Sequence, residues 1–258
     1  MPAHLRLSLL AGTALVLLTG AAAAAPAIGL TGDRTLVMFD TETLAVSGTM
    51  DVSGVERLHG IDVRPADGML YGVTGDGKVV TIDTATGAGT EKSTLSETLP
   101  DGVTASVDFN PVADRLRIVG SDGTNLRANV DDGAVTVDGK LAYEAADMHA
   151  GETPNIVAVA YTNSVGKPEA TAMYDIDATI GGLIQQAPPN DGVLKAIGKL
   201  GVTGSDNFAL DISATVDLQN TAWLVAGKTL HTVDLATGAA TVVGDIDSEA
   251  LRDIAILP

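Results

Sequence analysis

The chain has 258 residues, no cysteine, and 33 acidic against 15 basic residues, for a net charge of -18 at pH 7. Such a surface repels phosphates and anionic lipid, and with no local basic patch in the sequence nucleic acid is set aside as a partner. With no disulfides and only 3% aromatic residues, the fold must rest on packing of Val, Ile, Leu and Ala and on hydrogen bonds.

Residues 1–25 have the three-part layout of a secretory signal peptide. A weakly basic start holds His4 and Arg6, an apolar run extends from Leu7 to Leu18, and a small-residue tract covers Ala21 to Ala25. The run falls short of the ~20 residues of a bilayer span, and no Cys follows it to carry a lipid. Cleavage after Ala23, Ala25 or Ala27 suits the tract; a retained anchor is the alternative. On this reading residues 26–258 form a single domain in the periplasm or outside the cell, without stable membrane insertion once the leader is removed. The leader carries one base, Arg6, and no acid, so its loss takes the charge from -18 to about -19.

Strand phrases then recur along the chain. Ile28-Gly-Leu-Thr-Gly-Asp-Arg-Thr-Leu-Val-Met-Phe-Asp40 is a worn copy of a phrase seen fully at Tyr71-Gly-Val-Thr-Gly-Asp-Gly-Lys-Val-Val-Thr-Ile-Asp83-Thr-Ala-Thr-Gly87. The full copy reads as two strands joined by a Gly-Asp-Gly turn and closed by Asp-x-x-Thr-Gly. In that ending Asp bonds the following backbone and Gly takes a positive φ. A third copy ends at Asp234-Leu-Ala-Thr-Gly238. A second phrase, strand–turn–strand, runs from Leu58 to Tyr71 through Asp62 and repeats from Ala105 to Val119 through Asp108. Looser copies follow at Ile156–Asn163 with Ala170–Tyr174, and at Phe208–Ile212 with Thr221–Val225, while Leu251–Leu257 is a last partial copy.

Each unit is therefore about four short strands in about 40 to 50 residues, the spacing of a β-propeller blade. Complete units run from Glu56 to Leu95, Val103 to Leu141, Asn155 to Leu200 and Asp206 to Ile246. Ile28 to Val52 supplies strands two to four of a further unit, and Leu251 to Leu257 supplies its first strand. The fold class expected is all-β, a propeller of five blades closed by the C-terminal strand pairing with the N-terminal blade. Closure removes the exposed edge of an open array, which makes the terminal strand a clasp. Six blades or a β-sandwich are the alternatives. No core-forming helix is expected, and Glu144 to Gly151 is given a turn or two at most.

The phrases Gly60–Gly72, Asp108–Arg117, Asn125-Leu-Arg-Ala-Asn129, Ala160-Tyr-Thr-Asn163 and Gln186-Ala-Pro-Pro-Asn-Asp-Gly192 resemble the DUF4394 family of bacterial proteins across nearly all of residues 26–258. Departures are slight: Ala128 replaces a longer residue, and the Leu44–Ser47 turn lacks its Thr-Gly ending. The resemblance implies an exported propeller-like domain of unknown function and carries over no catalytic residues.

Two clusters stand out. Asp62, Asp108, Asp211 and Asp253 recur on the first strand of successive units, with Tyr161 in the equivalent place of another. A ring of carboxylates suits a hard cation such as Ca²⁺, and equally suits a repeated joint in which each Asp accepts a backbone N–H from the next blade. Arg115, Arg117, Asn125, Arg127 and Asn129 form the densest cationic and amide stretch. Arg117 meeting Arg127 across the blade would make an anion or glycan pocket; pairing of these arginines with Asp114, Asp122, Asp131 and Asp132 is the structural alternative. His59 lies close enough to the Asp62 strand to reach a channel mouth as a base. No nucleophile motif is present, and no residue is assigned as catalytic. The reading is a monomeric, non-enzymatic exported propeller that needs no cofactor, or holds Ca²⁺, and binds a protein or a glycan through loops such as Ala142–Pro154 and Asn163–Glu169. A Ca²⁺-dependent hydrolase or lyase acting on a small organic molecule in the channel is the alternative.

Overall fold

A computed structural model describes residues 25–203, 205 and 207–258; residues 1–24 of the expected leader lie outside them. Strands β1 (Pro26–Thr31), β2 (Thr35–Asp40) and β3 (Val46–Asp51) are followed by β4 (Leu58–Val63), β5 (Leu70–Thr74), β6 (Lys78–Ile82) and β7 (Gly89–Thr94). Next come β8 (Ala105–Asn110), β9 (Arg115–Gly120), β10 (Asn125–Ala128) and β11 (Val135–Val137). The chain continues through β12 (Ala142–Tyr143), β13 (Ile156–Tyr161), β14 (Met173–Asp177), β15 (Gly182–Gln186) and β16 (Val193–Lys199). It closes with β17 (Phe208–Ala214), β18 (Asn220–Ala226), β19 (Thr229–Val233), β20 (Ala240–Asp245) and β21 (Asp253–Ile256).

These strands form five sheets. Blade 1 is ordered β21-β1-β2-β3, blade 2 is β4 to β7, blade 3 is β8 to β11, and blade 5 is β17 to β20. Blade 4 departs from the expected four strands: β12 adds to the outside of β16 as a parallel fifth, pairing Ala142 with Val193 and Tyr143 with Leu194. The Ala142–Pro154 segment is thus part strand, and Glu144–Gly151 forms turns rather than helix. The one helical element among the described residues is a 3₁₀ turn at Pro189–Asp191.

The innermost strands β21, β4, β8, β13 and β17 touch in that order and close the ring, β17 meeting β21. Closure is made as expected: β21 pairs antiparallel with β1, from Ala27 opposite Ile256 to Leu30 opposite Asp253. An inner strand is sandwiched between two blades, so β21 and most of β8, β13 and β17 are buried on both faces, whereas the outer strands β3, β7 and β20 are half or more exposed. Each seam between blades has its own apolar cluster. Ile28, Leu30 and Leu58 fill the seam of blades 1 and 2, Tyr71, Phe109 and Ile118 that of 2 and 3, and Val119, Val159 and Ile184 that of 3 and 4. Ile176, Leu210 and Leu224 fill the seam of blades 4 and 5, and Phe39, Trp223 and Ile254 that of 5 and 1.

The repeated turn works as its chemistry requires. Asp83 Oδ1 accepts the N–H groups of Ala85 and Thr86, and Gly87 at φ 72° donates to Asp83 O. Asp234 and Gly238 repeat this arrangement. In the worn copy Leu44 takes the glycine place at φ 60°, donating to Asp40 O. A non-glycine residue there is strained. Leu44 reaches the backbone at Gly244 of blade 5, where an added Cβ would stand 2.5 Å from Leu44 Cδ1, so the side chain packs across a seam that a glycine would leave open.

Candidate functional site

Inner strands β4, β8 and β17 bring Asp62, Asp108 and Asp211 to one place. One carboxylate oxygen from each lies within 4.8 Å of the others, and the three residues are 7%, 2% and 5% exposed. Their hydrogen bonds follow one rule, each carboxylate reaching forward to the next blade. Asp62 Oδ2 accepts from Phe109 N at 2.7 Å, Asp108 Oδ1 from Tyr161 N at 3.0 Å, and Asp211 Oδ2 from Ile256 N at 2.5 Å. Asp253 Oδ2 accepts from Ile61 N at 2.8 Å. Four of the five blade seams are therefore joined by an Asp.

Two corrections to the expected ring follow from these bonds. The N–H bound by Asp62 is on the residue after Asp108, and those bound by Asp108 and Asp211 are on the residues after Ala160 and Ala255. The fifth equivalent is thus Ala160, not Tyr161. Alternation along a strand sends adjacent side chains to opposite faces, so Ala160 faces blade 5 while Tyr161 faces blade 3. Asp253 stands two residues before Ala255, one step along the channel, and is not in the triad. Gly60 makes room for it: a Cβ at Gly60 would collide with Asp253 Oδ2.

Burial raises the pKa of all four groups. Asp62 and Asp108 rise well above the usual carboxylate range, chiefly by desolvation and then by the neighbouring carboxylates Asp211 and Asp62 respectively. Asp253 rises by burial, opposed by the Ile61 N–H and by Arg252. Asp211 is pushed up to about 6 by burial, held back by its two backbone N–H bonds. No basic side chain among the described residues hydrogen-bonds to the triad, and the second oxygen of Asp108 has no hydrogen-bond partner, whereas Asp62 and Asp211 use both of theirs. Like charges this close do not all ionise unless a cation joins them.

The basic stretch folds into a different object from either expected. Arg117 and Arg127 are register partners on β9 and β10, and Asp138 sits between them, 2.6 Å from Arg117 and 3.1 Å from Arg127. The guanidinium of Arg117, 1% exposed, also donates to Tyr161 Oη, Asn125 Oδ1 and Asn190 Oδ1. Arg117, Asn125, Arg127 and Tyr161 are brought together as a joint between blades 3 and 4, in which one carboxylate, Asp138, is shared by two guanidinium groups. Arg115 is apart, donating to the carbonyls of Ala113 and Asp114, and Asn129 Oδ1 accepts from Asp131 N in a turn. Asp114 and Asp131 pair with Arg64, at 2.6 and 2.9 Å, which clamps blade 2 to blade 3. His59 faces the seam of blades 2 and 3 in a cavity of about 20 Å³ with Val73 and Ile118. Its buried Nδ1 has no partner, and burial lowers its pKa.

The sequence reading missed Asp138, Asn190 and Arg64, and also Asp175 and Gln186. Asp175 is 0% exposed, and both its oxygens lack a partner, as does Gln186 Oε1. Only an acid in the middle of the apolar strand phrase at Met173–Asp177 could have flagged it.

The family model described as "Domain of unknown function (DUF4394)" matches residues 35–255. A search of curated proteins finds no match. Among solved structures, a protein of unknown function from Bacteroides thetaiotaomicron is similar at TM-score 0.54 and 16% identity, over 91% of this chain and 65% of that one. This chain thus spans just under two thirds of that protein's length. A calcium-binding protein, regucalcin, from Agrobacterium tumefaciens is similar at TM-score 0.52 and 13% identity, over 88% of this chain and 72% of that one. At such identities the likeness is one of fold.

Proposed function

We propose that this chain, which belongs to the DUF4394 family, is an exported, non-enzymatic binding propeller whose ring is centred on a divalent cation, Ca²⁺ by preference, with a protein or a glycan as its ligand. One observation carries the cation: three buried carboxylates from three blades, with oxygens within 4.8 Å of one another and no basic partner. Two oxygens on opposite sides of Ca²⁺, each at about 2.4 Å, stand about 4.8 Å apart, so the spacing admits one ion with water completing its shell. The free oxygen of Asp108 is the natural first ligand. Backbone N–H bonds to Asp62 and Asp211 occupy one lone pair of each bonded oxygen and leave another for a metal.

Burial argues for binding over turnover. With Asp62, Asp108 and Asp211 between 2% and 7% exposed, a substrate large enough to be hydrolysed has little surface of the triad to meet. Among the described residues no helix is long and apolar enough to cross a membrane; export rests on the leader pattern at residues 1–25. A monomer is the form proposed, since ring closure leaves every blade partnered within the chain.

The test is calorimetric Ca²⁺ titration with elemental analysis of the purified protein, beside Asp108→Asn. One site is expected in the wild type and none in the variant, whose melting temperature in EDTA equals or exceeds that of the wild type because a like charge has gone. Absence of any Ca²⁺, Mg²⁺ or Mn²⁺ uptake, or equal affinity in both proteins, would leave the carboxylates as blade joints alone.

A further inference from the structure

An open cleft lies away from the channel, in the seam of blades 1 and 2, with a volume of about 620 Å³. Clefts of about 300–1,000 Å³ are the size that small ligands occupy. Gly54 and Gly89 line it where the backbones of the two blades come close together; a Cβ on Gly89 would stand 2.6 Å from Ser53 O. Arg34 and Arg57 enter it from two connections and Lys78 from the first residue of β6, with Glu56, Asp76 and Glu91 around them.

The two arginines have the fewest side-chain hydrogen bonds of the arginines among the described residues. Acids outnumber bases 33 to 15, and Arg64, Arg117 and Arg127 all hold carboxylates at hydrogen-bond distance. Arg34 comes no closer than 3.8 Å to Asp51, and its guanidinium makes one hydrogen bond, to Val55 O. The Arg57 guanidinium stays 3.9 Å from Asp33 and makes no hydrogen bond. Their side chains are 42% and 48% exposed, so most of ten guanidinium N–H groups face the cleft or solvent unused. A guanidinium fork matches a carboxylate in two parallel hydrogen bonds. The surrounding acids repel an anion of higher charge, such as a phosphate monoester, and offer acceptors to hydroxyl groups. Lys78, 3.4 Å from both Asp76 and Glu91, holds those two acceptors in place.

We infer that the cleft between blades 1 and 2 binds a carboxylate-bearing sugar, a hexuronate unit of an acidic glycan, with Arg57 and Arg34 on the carboxylate and the acids on the hydroxyls. This rests on reading the protein as a glycan-binding module, but not on the cation in the channel. A zwitterionic amino acid shares the carboxylate, so the test separates the two.

Digalacturonate, neutral galactobiose and glutamate are titrated into the purified protein in EDTA and followed by calorimetry. The same titrations are made with Arg57→Gln, with Arg34→Gln/Arg57→Gln and with Asp108→Asn. Digalacturonate is expected to bind the wild type and Asp108→Asn alike, and to weaken about tenfold or more in Arg57→Gln at an unchanged melting temperature. Galactobiose is expected not to bind. The proposal is overturned if the wild type ignores digalacturonate, if both arginine variants bind it unchanged, if galactobiose binds equally, or if glutamate binds and digalacturonate does not. Loss in Asp108→Asn but not in Arg57→Gln would place the sugar at the channel and overturn it too.

Discussion

Removal of residues 253–258 tests ring closure directly. The deletion takes away β21, whose Ile254 and Ile256 are 1% and 7% exposed. Burial of each Ile is worth about 1.5–3 kcal/mol, and the cavity left behind adds to the loss. Asp253 leaves Ile61 N without its acceptor, and loss of Ile256 N leaves Asp211 without one of its donors. Each buried polar group so orphaned costs about 1–3 kcal/mol. The combined loss of about 5–12 kcal/mol is comparable to the whole stability of a domain, about 5–15 kcal/mol. The truncated chain is therefore expected to be unfolded, or to melt far below the intact protein, by circular dichroism and by the fluorescence of the buried Trp223. Ile254→Ala grades the effect, with an expected loss of about 2–5 kcal/mol in urea denaturation at unchanged m. A circular permutant gives the converse. Leu257 N donates to Pro26 O, so the ends of β21 and β1 lie side by side. Joining residue 258 to residue 26 by a short turn, with new termini in the exposed loop at residues 164–169, should retain the stability of the parent. A truncated protein with a urea midpoint close to that of the intact chain would refute the argument that β21 holds the ring.

Two further outcomes follow from the seam of blades 3 and 4. Burial raises the pKa of Asp175 well above its ordinary 3.8, against the pull of Arg117. Stability from this group is therefore full below about pH 3.8 and is lost as pH rises through the folded value, by about 1.4 kcal/mol per pH unit in that window. Asp175→Asn removes the loss, so the stability difference between variant and wild type should grow in favour of Asn from pH 4 upward in urea titrations; a constant difference would show that Asp175 folds as an ion. Arg117→Met is expected to cost about 3–5 kcal/mol because it leaves Tyr161, Asn125 and Asn190 short of a donor or partner in a buried seam and removes one of the two guanidinium bonds to Asp138. Asp138→Asn should cost less in the Arg117→Met background than in the wild type, because one of its two guanidinium partners has already gone, and full additivity of the two changes would argue against the pair.

Much of the architecture is legible in the sequence because its causes are local. A blade is a meander whose strands pair with their chain neighbours, so strand phrases, Asp-to-Gly turns and the complementary fragments at the two ends suffice to count five blades and close them. The turn at Asp40 shows the limit. Its missing glycine reads as a departure, and only the packing of Leu44 against Gly244 across the seam explains a leucine at φ 60°. The fifth strand of blade 4 is likewise hidden, since Ala142–Tyr143 is two residues long and gains its pairing only from β16.

The candidate sites divide along the same line. Repetition of Asp on the first strand is visible in the chain, and it suffices to expect Asp62, Asp108 and Asp211 around one axis. That Ala160 rather than Tyr161 completes the level, and that Asp253 sits one step away, depends on how five inner strands are staggered against one another. Arg117 and Asn190 are 73 residues apart, and Asp253 and Ile61 are 192 apart. Local propensity and periodicity act over a few residues, so they determine strands, turns and the number of blades. Which side chains meet across a seam is decided by register between sheets, and that exists only once the ring has closed.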